Sequence, residues 1–154
     1  MATNEGPQQP WEQHETVVEN DFFTVTDERG IESVEVTSHN GGFAFTLHYD
    51  EWEQFVEAVR LLQTQALVET DICDAEEEEA NGAPQWHFVI RYPEHGLSFY
   101  LVAEEWQALQ AAVETAADYP WSPTLYRVDV AQMADKVAEQ RRWVMARHQP
   151  RTAR

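Results

Sequence analysis

The sequence predicts an α+β fold: two related ββα units forming one antiparallel sheet, with Trp-anchored helices on one face and a further helix at the C-terminus. Three observations carry this expectation. A stretch of chain recurs at a constant offset of 54 residues, Gly42–Val59 matching Gly96–Val113. Each copy passes from alternating apolar residues to a helical apolar period. Turn residues stand where the period changes. Seven of the 18 aligned positions are identical: Gly42/Gly96, Phe45/Phe99, Leu47/Leu101, Glu51/Glu105, Trp52/Trp106, Ala58/Ala112 and Val59/Val113. The match continues upstream without a gap, so that Val34 and Val36 fall on Phe88 and Ile90, the inward positions if both segments are strands.

Residues 1–20 read as a flexible N-terminal segment, polar and holding two prolines within the first fifteen positions. An acidic α+β domain spans 21–126. It opens with a strand over Phe22–Thr26 and a turn at Glu28-Arg29-Gly30. The first pseudo-repeat, 31–65, is a hairpin feeding a helix. Phe43, Phe45 and Leu47 alternate as in a half-buried strand, and Asn40-Gly41 predicts a type I′ turn, whose two central residues need positive φ. The helix starts at Asp50, with Glu53 three residues on as a capping box. Trp52, Phe55, Val56 and Val59 share one face of it. Residues 71–84 read as an acidic linker, because Asp71 to Glu79 includes Glu76-Glu77-Glu78-Glu79, a composition typical of solvated loops. The second pseudo-repeat, 85–118, turns at Pro93–Gly96, alternates at Leu97, Phe99 and Leu101, and places Trp106, Leu109 and Val113 on one helix face. Tyr119-Pro120-Trp121-Ser122-Pro123 is a break. Residues 127–154 form a C-terminal helix and basic tail, with Asp129 and Gln132 as the cap, a helix to about Arg147, and Val130, Met133, Val137 and Val144 as its apolar stripe.

Composition bounds the function. The chain has 154 residues, 43% apolar and 12% aromatic, enough for a core and for about one domain. It carries 28 Asp and Glu against 10 Lys and Arg, a net charge of −18. Residues 1–126 hold only Arg29, Arg60 and Arg91 against 25 carboxylates, a net of −22, whereas residues 127–154 have a net of +4. A body this acidic repels phosphate backbones and attracts basic proteins quickly at low salt; the same charge would also serve solubility alone. No apolar run reaches the roughly 18 residues of a membrane span. The N-terminus has no basic and apolar signal-peptide pattern, so a cytoplasmic protein is expected. Cys73 is the sole cysteine, which excludes an intrachain disulfide and a cysteine-rich zinc site.

No enzyme motif is present. Gly41-Gly42 belongs to a hairpin and no phosphate-loop lysine follows it. No serine stands in a nucleophile elbow, and the six histidines show no i, i+4 pair on a helix. His39, His48, His87 and His95 fall in or beside the hairpins and would need the sheet to gather them before they could hold a metal. Asp71 and Asp74 beside Cys73 would raise its thiol pKa and oppose a nucleophilic role. The expectation is a non-enzymatic protein without metal or cofactor.

The segment Gly96–Leu101, followed by Glu105, Trp106 and Leu109, resembles the last strand and helix of PUR repeats, and is similar to the single-strand binders that share a Whirly-type architecture. That resemblance implies curved sheets holding single-stranded nucleic acid, with stacking by Tyr100 and pairing by Arg91, helped by Arg141, Arg142 and Arg147 of the C-terminal helix. A second resemblance is to small acidic secretion chaperones of the type III class, which implies a homodimer. The function expected first is an acidic protein-binding module that engages a basic partner surface, as an inhibitor, a nucleic-acid charge mimic, an immunity protein or a chaperone would. Glu76, Glu77, Glu78 and Glu79 are the residues expected at that contact. The alternative is the single-stranded nucleic-acid binder.

Overall fold

Among the described residues, 14–91, 96–121 and 130–148 of a computed structural model, the elements run ββββα, ββββα, α. β1 (Glu15–Glu19), β2 (Phe23–Glu28), β3 (Ser33–Ser38) and β4 (Ala44–His48) form one antiparallel meander that leads into α1 (Tyr49–Leu62). β5 (Leu67–Glu69), β6 (Cys73–Ala80), β7 (Ala83–Ile90) and β8 (Leu97–Leu101) form a second that leads into α2 (Ala103–Ala117), and α3 is Val130–His148. The class is α+β. Its organisation differs from the expectation in two respects: each half has four strands before its helix, and the halves form two sheets instead of one.

Of the three added strands, β1, β5 and β6, β5 is only three residues long, and the other two lie where charge and polarity hid them. Within the segment read as flexible, β1 pairs with β2 and buries Val17 completely. Within the segment read as a linker, β6 pairs with β5 on one side and β7 on the other, burying Cys73 and Ala75. Glutamate is a poor strand former, but β7 pairs with the whole run while β5 pairs as far as Glu76, and this pairing overrides local preference. The type I′ chemistry is also displaced. Asn81 and Gly82 take φ of 55° and 80° in the two-residue loop joining β6 to β7. The turn at Asn40-Gly41 is longer: positive φ falls on Gly42, at 72°, and the Gly41 N–H donates to Ser38 Oγ at 2.8 Å.

The helices begin one residue earlier than Asp50 and its counterpart suggest. Glu51 Oε1 accepts the N–H of His48 at 2.8 Å, and Glu105 Oε1 accepts that of Val102 at 3.0 Å. The identity Glu51/Glu105 is therefore a carboxylate turned back onto the first free N–H of each helix. Trp52, Phe55, Val56 and Val59 of α1 and Trp106, Leu109 and Val113 of α2 are all buried, as their spacing predicts.

Each helix crosses over. α1 packs chiefly on β5 and β6 of the second half, and α2 on β1 and β2 of the first, while each touches strands of its own half. Residues 54 apart meet where the halves join. Phe45 stacks on Phe99 with ring centroids 5.9 Å apart, and Arg60 donates to both carboxylate oxygens of Glu114 at 2.8 and 2.9 Å. These self-matching contacts mark a local twofold axis between the halves. Phe99 also stacks on Phe43 at 4.2 Å and on Phe88 at 5.2 Å. Replacing Phe99 with Ala removes the ring shared by both sheets and is expected to lower stability by about 3–5 kcal/mol, read from urea unfolding at fixed salt.

Candidate partner-binding site

The registers of the two meanders show where the halves diverge. Glu28 pairs with Ser33 across β2 and β3, and Glu76 pairs with His87 across β6 and β7. Ser33 and His87 are 54 apart, so these pairs are equivalent. Between them the first half has four residues, a short 3-10 turn with its connector, and the second half has ten. The second hairpin is thus longer, and the added length carries Glu77, Glu78 and Glu79. It is anchored by Trp86, which lies opposite Glu77 and stacks on Trp106 with centroids 5.6 Å apart.

On this strand the four carboxylates alternate between two faces. Glu76 and Glu78 share the outer face with Asp74, and Glu77 and Glu79 project from the other side, past the edge of the core. Glu76, Glu77 and Glu79 are exposed, and none makes an ion pair among the described residues. Glu78 accepts from Gln85 Nε2 at 3.3 Å and lies 3.8 Å from His87 Nδ1. The acidic run is therefore a fixed array, not a loose loop.

The residues expected for nucleic acid are divided. Tyr100, 54% exposed, stacks on His87 with centroids 4.3 Å apart on the outer face of the second sheet, where His87 Nε2 also lies 2.8 Å from Ser98 Oγ. Arg91 is on the same sheet but is held by Asp74 at 2.6 Å and by the Thr70 carbonyl; the bond to Asp74 raises its pKa. α3 docks on its own domain against β1. There Arg141 lies 3.9 Å from Glu15, while Arg147 pairs with Asp118 at 3.3 Å and sits over the Trp143 ring; Arg142 is exposed. Arg141 thus belongs with the first sheet, and Arg91 and Tyr100 with the second. The described histidines are likewise separated: His39 lies 4.0 Å from Glu19, His48 3.4 Å from Ser33, and His87 is on the other sheet. His95, Asp129 and the tail beyond His148 lie outside the described residues. Among the described residues, no group of three or more His, Cys, Asp or Glu side chains is placed to hold a metal ion. Cys73 is buried, and its thiol is pushed up to about 12, by burial first and Asp74 second.

Sequence reasoning missed one acidic surface and one buried cluster. The surface is the outward side of α1, where Asp50, Glu53 and Glu57 stand at helical spacing along two grooves; that spacing was legible but is common on solvated helices. The cluster centres on Asp27 and Arg29, both fully buried. Tyr49 and Tyr119 donate to the two oxygens of Asp27 at 2.6 and 2.7 Å, and Arg29 reaches Asp27 at 3.4 Å and Gln140 of α3 at 3.1 Å. Gln140 in turn donates to the Pro120 carbonyl at 3.1 Å. The ladder places Ala75 where Asp27 stands, since their partners Phe88 and Val34 are 54 apart, and Ala103 matches Tyr49. The cluster therefore belongs to the first half alone and fastens α3.

Burial raises the Asp27 carboxyl above its ordinary 3.8, against the lowering effects of Tyr49, Tyr119 and Arg29. The folded state then binds this proton more tightly than the unfolded chain, so Asp27's contribution to stability grows as pH falls through its folded value and levels off below 3.8. On acidification through that window, the wild-type protein is expected to gain stability relative to Asp27→Asn, measured by urea unfolding at constant salt. A difference that stays flat with pH would remove this assignment.

No protein-family model and no curated protein matches the sequence. Solved structures similar in chain path include the following two. One is a protein of unknown function from the DUF155 family of Prochlorococcus sp. NATL2A, 14% identical, with a TM-score of 0.51 over 64% of this chain and 94% of that one. The other, from work on SsgB and longitudinal cell division during sporulation of Streptomyces coelicolor, is 14% identical over 77% of this chain and 95% of that one. Its TM-score of 0.35 is too low to carry an inference. Neither is described as a PUR-repeat or Whirly-type protein. At these identities, the likeness to the Prochlorococcus protein is one of fold alone.

Proposed function

We propose that the protein is a non-enzymatic acidic module that binds a basic protein surface through the β6–β7 hairpin. The observation that carries this reading is the extension itself: one half of a duplicated fold has a longer hairpin, and of its carboxylates Glu76, Glu77 and Glu79 have no ion pair among the described residues. Like charges held side by side on a strand repel one another and are costly to fold. A basic partner relieves that repulsion, and a fixed array meets it without first ordering a loop. The carboxylates act through steering and complementarity, which set association rate and salt dependence more than final affinity. A charge mimic, an immunity protein and a chaperone all share this contact chemistry.

One observation favours a second reading, a single-strand nucleic-acid binder: the exposed Tyr100–His87 stack is a platform on which a base could lie. Glu76 stands directly across from His87 on the same face, and Arg91 is engaged by Asp74, so a phosphate backbone would meet repulsion there. This reading ranks below the first.

Two measurements separate them. In affinity capture at low salt, the wild-type protein is expected to retain basic proteins that elute as salt rises. The variant with Glu76, Glu77, Glu78 and Glu79 all changed to Gln should associate at least about tenfold more slowly, with a shallower salt dependence. Capture and salt dependence unchanged in that variant would exclude the hairpin as the contact. Anisotropy of a labelled single-stranded oligonucleotide is expected to show no binding even at low salt; binding that is lost on Tyr100→Ala would reverse the ranking.

A further inference from the structure

The Arg60–Glu114 pair on the local twofold axis has a groove on each side. One, of about 410 Å³, has Trp52, Val56 and Trp121 for walls and Glu53, Glu57 and Asp118 at its rim. The other, of about 300 Å³, is lined by Gln63, Gln107, Gln110, Ala111 and Glu114. The offset of 54 carries Glu53 to Gln107, Val56 to Gln110 and Glu57 to Ala111, so the two grooves are copies of one feature. They have diverged completely in chemistry. The first is aromatic and holds Glu53, Glu57 and Asp118, and the second has amides, an alanine and Glu114 alone, which Arg60 already engages.

We propose that the first groove receives the cationic side chain, arginine or lysine, of a bound basic polypeptide. This rests on the proposed function and names a second, more specific contact for it. The half-buried Trp121 indole beside carboxylates suits a guanidinium or ammonium group, which gains cation–π attraction and an ion pair in one partly enclosed place. Arg60 at the groove wall is paired through Nε and Nη2 with Glu114, whereas Glu53 and Glu57 make no ion pair among the described residues. The protein also contains a worked instance of this recognition. At the rim, Arg147 of α3 is held between the Asp118 carboxylate, at 3.3 Å, and the Trp143 ring, 5.1 Å from its centroid. A polar demand accompanies the charge. Trp52 is 2% exposed, and its Nε1 is buried with no hydrogen-bond partner among the described residues. The backbone carbonyl of a polypeptide seated in the groove is an acceptor of the kind that this N–H lacks. The copy supplies the control, since Glu53→Gln with Glu57→Ala gives the first groove the residues that the second already accommodates in the same fold.

The test is a titration of the full chain with Nα-acetyl-arginine methylamide, a single cation carrying two carbonyls, followed by the indole N–H signals of Trp52 and Trp121. The expected result is a saturable shift of Trp52, absent with the neutral Nα-acetyl-glutamine methylamide and weakened at least about tenfold in the Glu53→Gln/Glu57→Ala variant. No shift with the arginine compound, an equal shift with the glutamine compound, or undiminished binding by the variant would each overturn the proposal. The outcome is separable from that of the proposed function. Silent indoles, in a protein whose capture of basic proteins depends on Glu76–Glu79, remove the groove and leave the function. A saturable Trp52 shift without any capture of basic proteins leaves the groove and removes the function.

Discussion

Neither sheet of this protein covers its own apolar face, and the rest of the structure depends on how that is resolved. A four-stranded meander with one helix is too small to bury both the sheet and the helix stripe. The two halves solve the problem by exchange, each helix lying mainly on the other half's sheet. The constraint then falls on the residues at the axis of the exchange. Phe45 and Phe99 must stack on each other, and positions 60 and 114 must be compatible with themselves in mirrored roles. Arg60 and Glu114 satisfy that condition with opposite charges, a choice open only to a duplicated chain and closed to a symmetric pair of identical ones. The bond lowers the Glu114 pKa and raises that of Arg60.

Once the halves are tied in this way, their likenesses and differences separate into two kinds. Likenesses fall on positions the exchange requires: the tryptophans one turn into each helix, the carboxylates that close each helix start, and the inward strand residues. Differences fall where the fold leaves freedom. Asp27 and Tyr49 are replaced by Ala75 and Ala103, because only the first half must fasten α3. The short turn after Glu28 becomes the long acidic hairpin after Glu76. One groove is aromatic and acidic, and its copy holds amides and a single carboxylate that Arg60 engages. The exchange acts on both halves alike and the Asp27 cluster fastens α3, so the one-sided features that fasten nothing, the long hairpin and the aromatic groove, are where binding is to be sought.

The sequence showed the repeat, both main helices and the four strands that feed them, because alternation at Phe43–Leu47 and Leu97–Leu101 and helical spacing after Trp52 and Trp106 are local signals. β5, at three residues, is too short to show a period, and β1 and β6 were illegible for a physical reason. They are held by ladders with the strands next to them in the chain, and that pairing, which no pattern within Glu76–Glu79 announces, overrules what the run would do alone. Asn81-Gly82 was visible as a pair but was absorbed into the presumed linker, while Asn40-Gly41 was assigned a tight turn that its four-residue loop does not need. Of the candidate site, the residues were legible and their arrangement was not. The acidic run could be seen, but not that a strand sorts it onto two faces. The Asp27 cluster joins residues up to 111 positions apart, and no local pattern in the chain announces it.

The basic C-terminal helix bears on how the acidity is presented. Had α3 projected freely, its arginines would have offered a cationic arm to a phosphate backbone, and the acidic body would have been a separate surface. Instead Gln140 is buried beside Arg29, Arg141 faces Glu15, and Arg147 is engaged by Asp118, so α3 directs part of its positive charge at its own domain. That neutralisation is confined to the first sheet's edge and the end of α2. The β6–β7 hairpin and the outward side of α1 receive none of it among the described residues. A basic partner approaching this molecule therefore meets a field focused on those two places. On the proposed reading, the net charge of the chain would bring a basic partner in, and the carboxylates without ion pairs among the described residues would set where it docks.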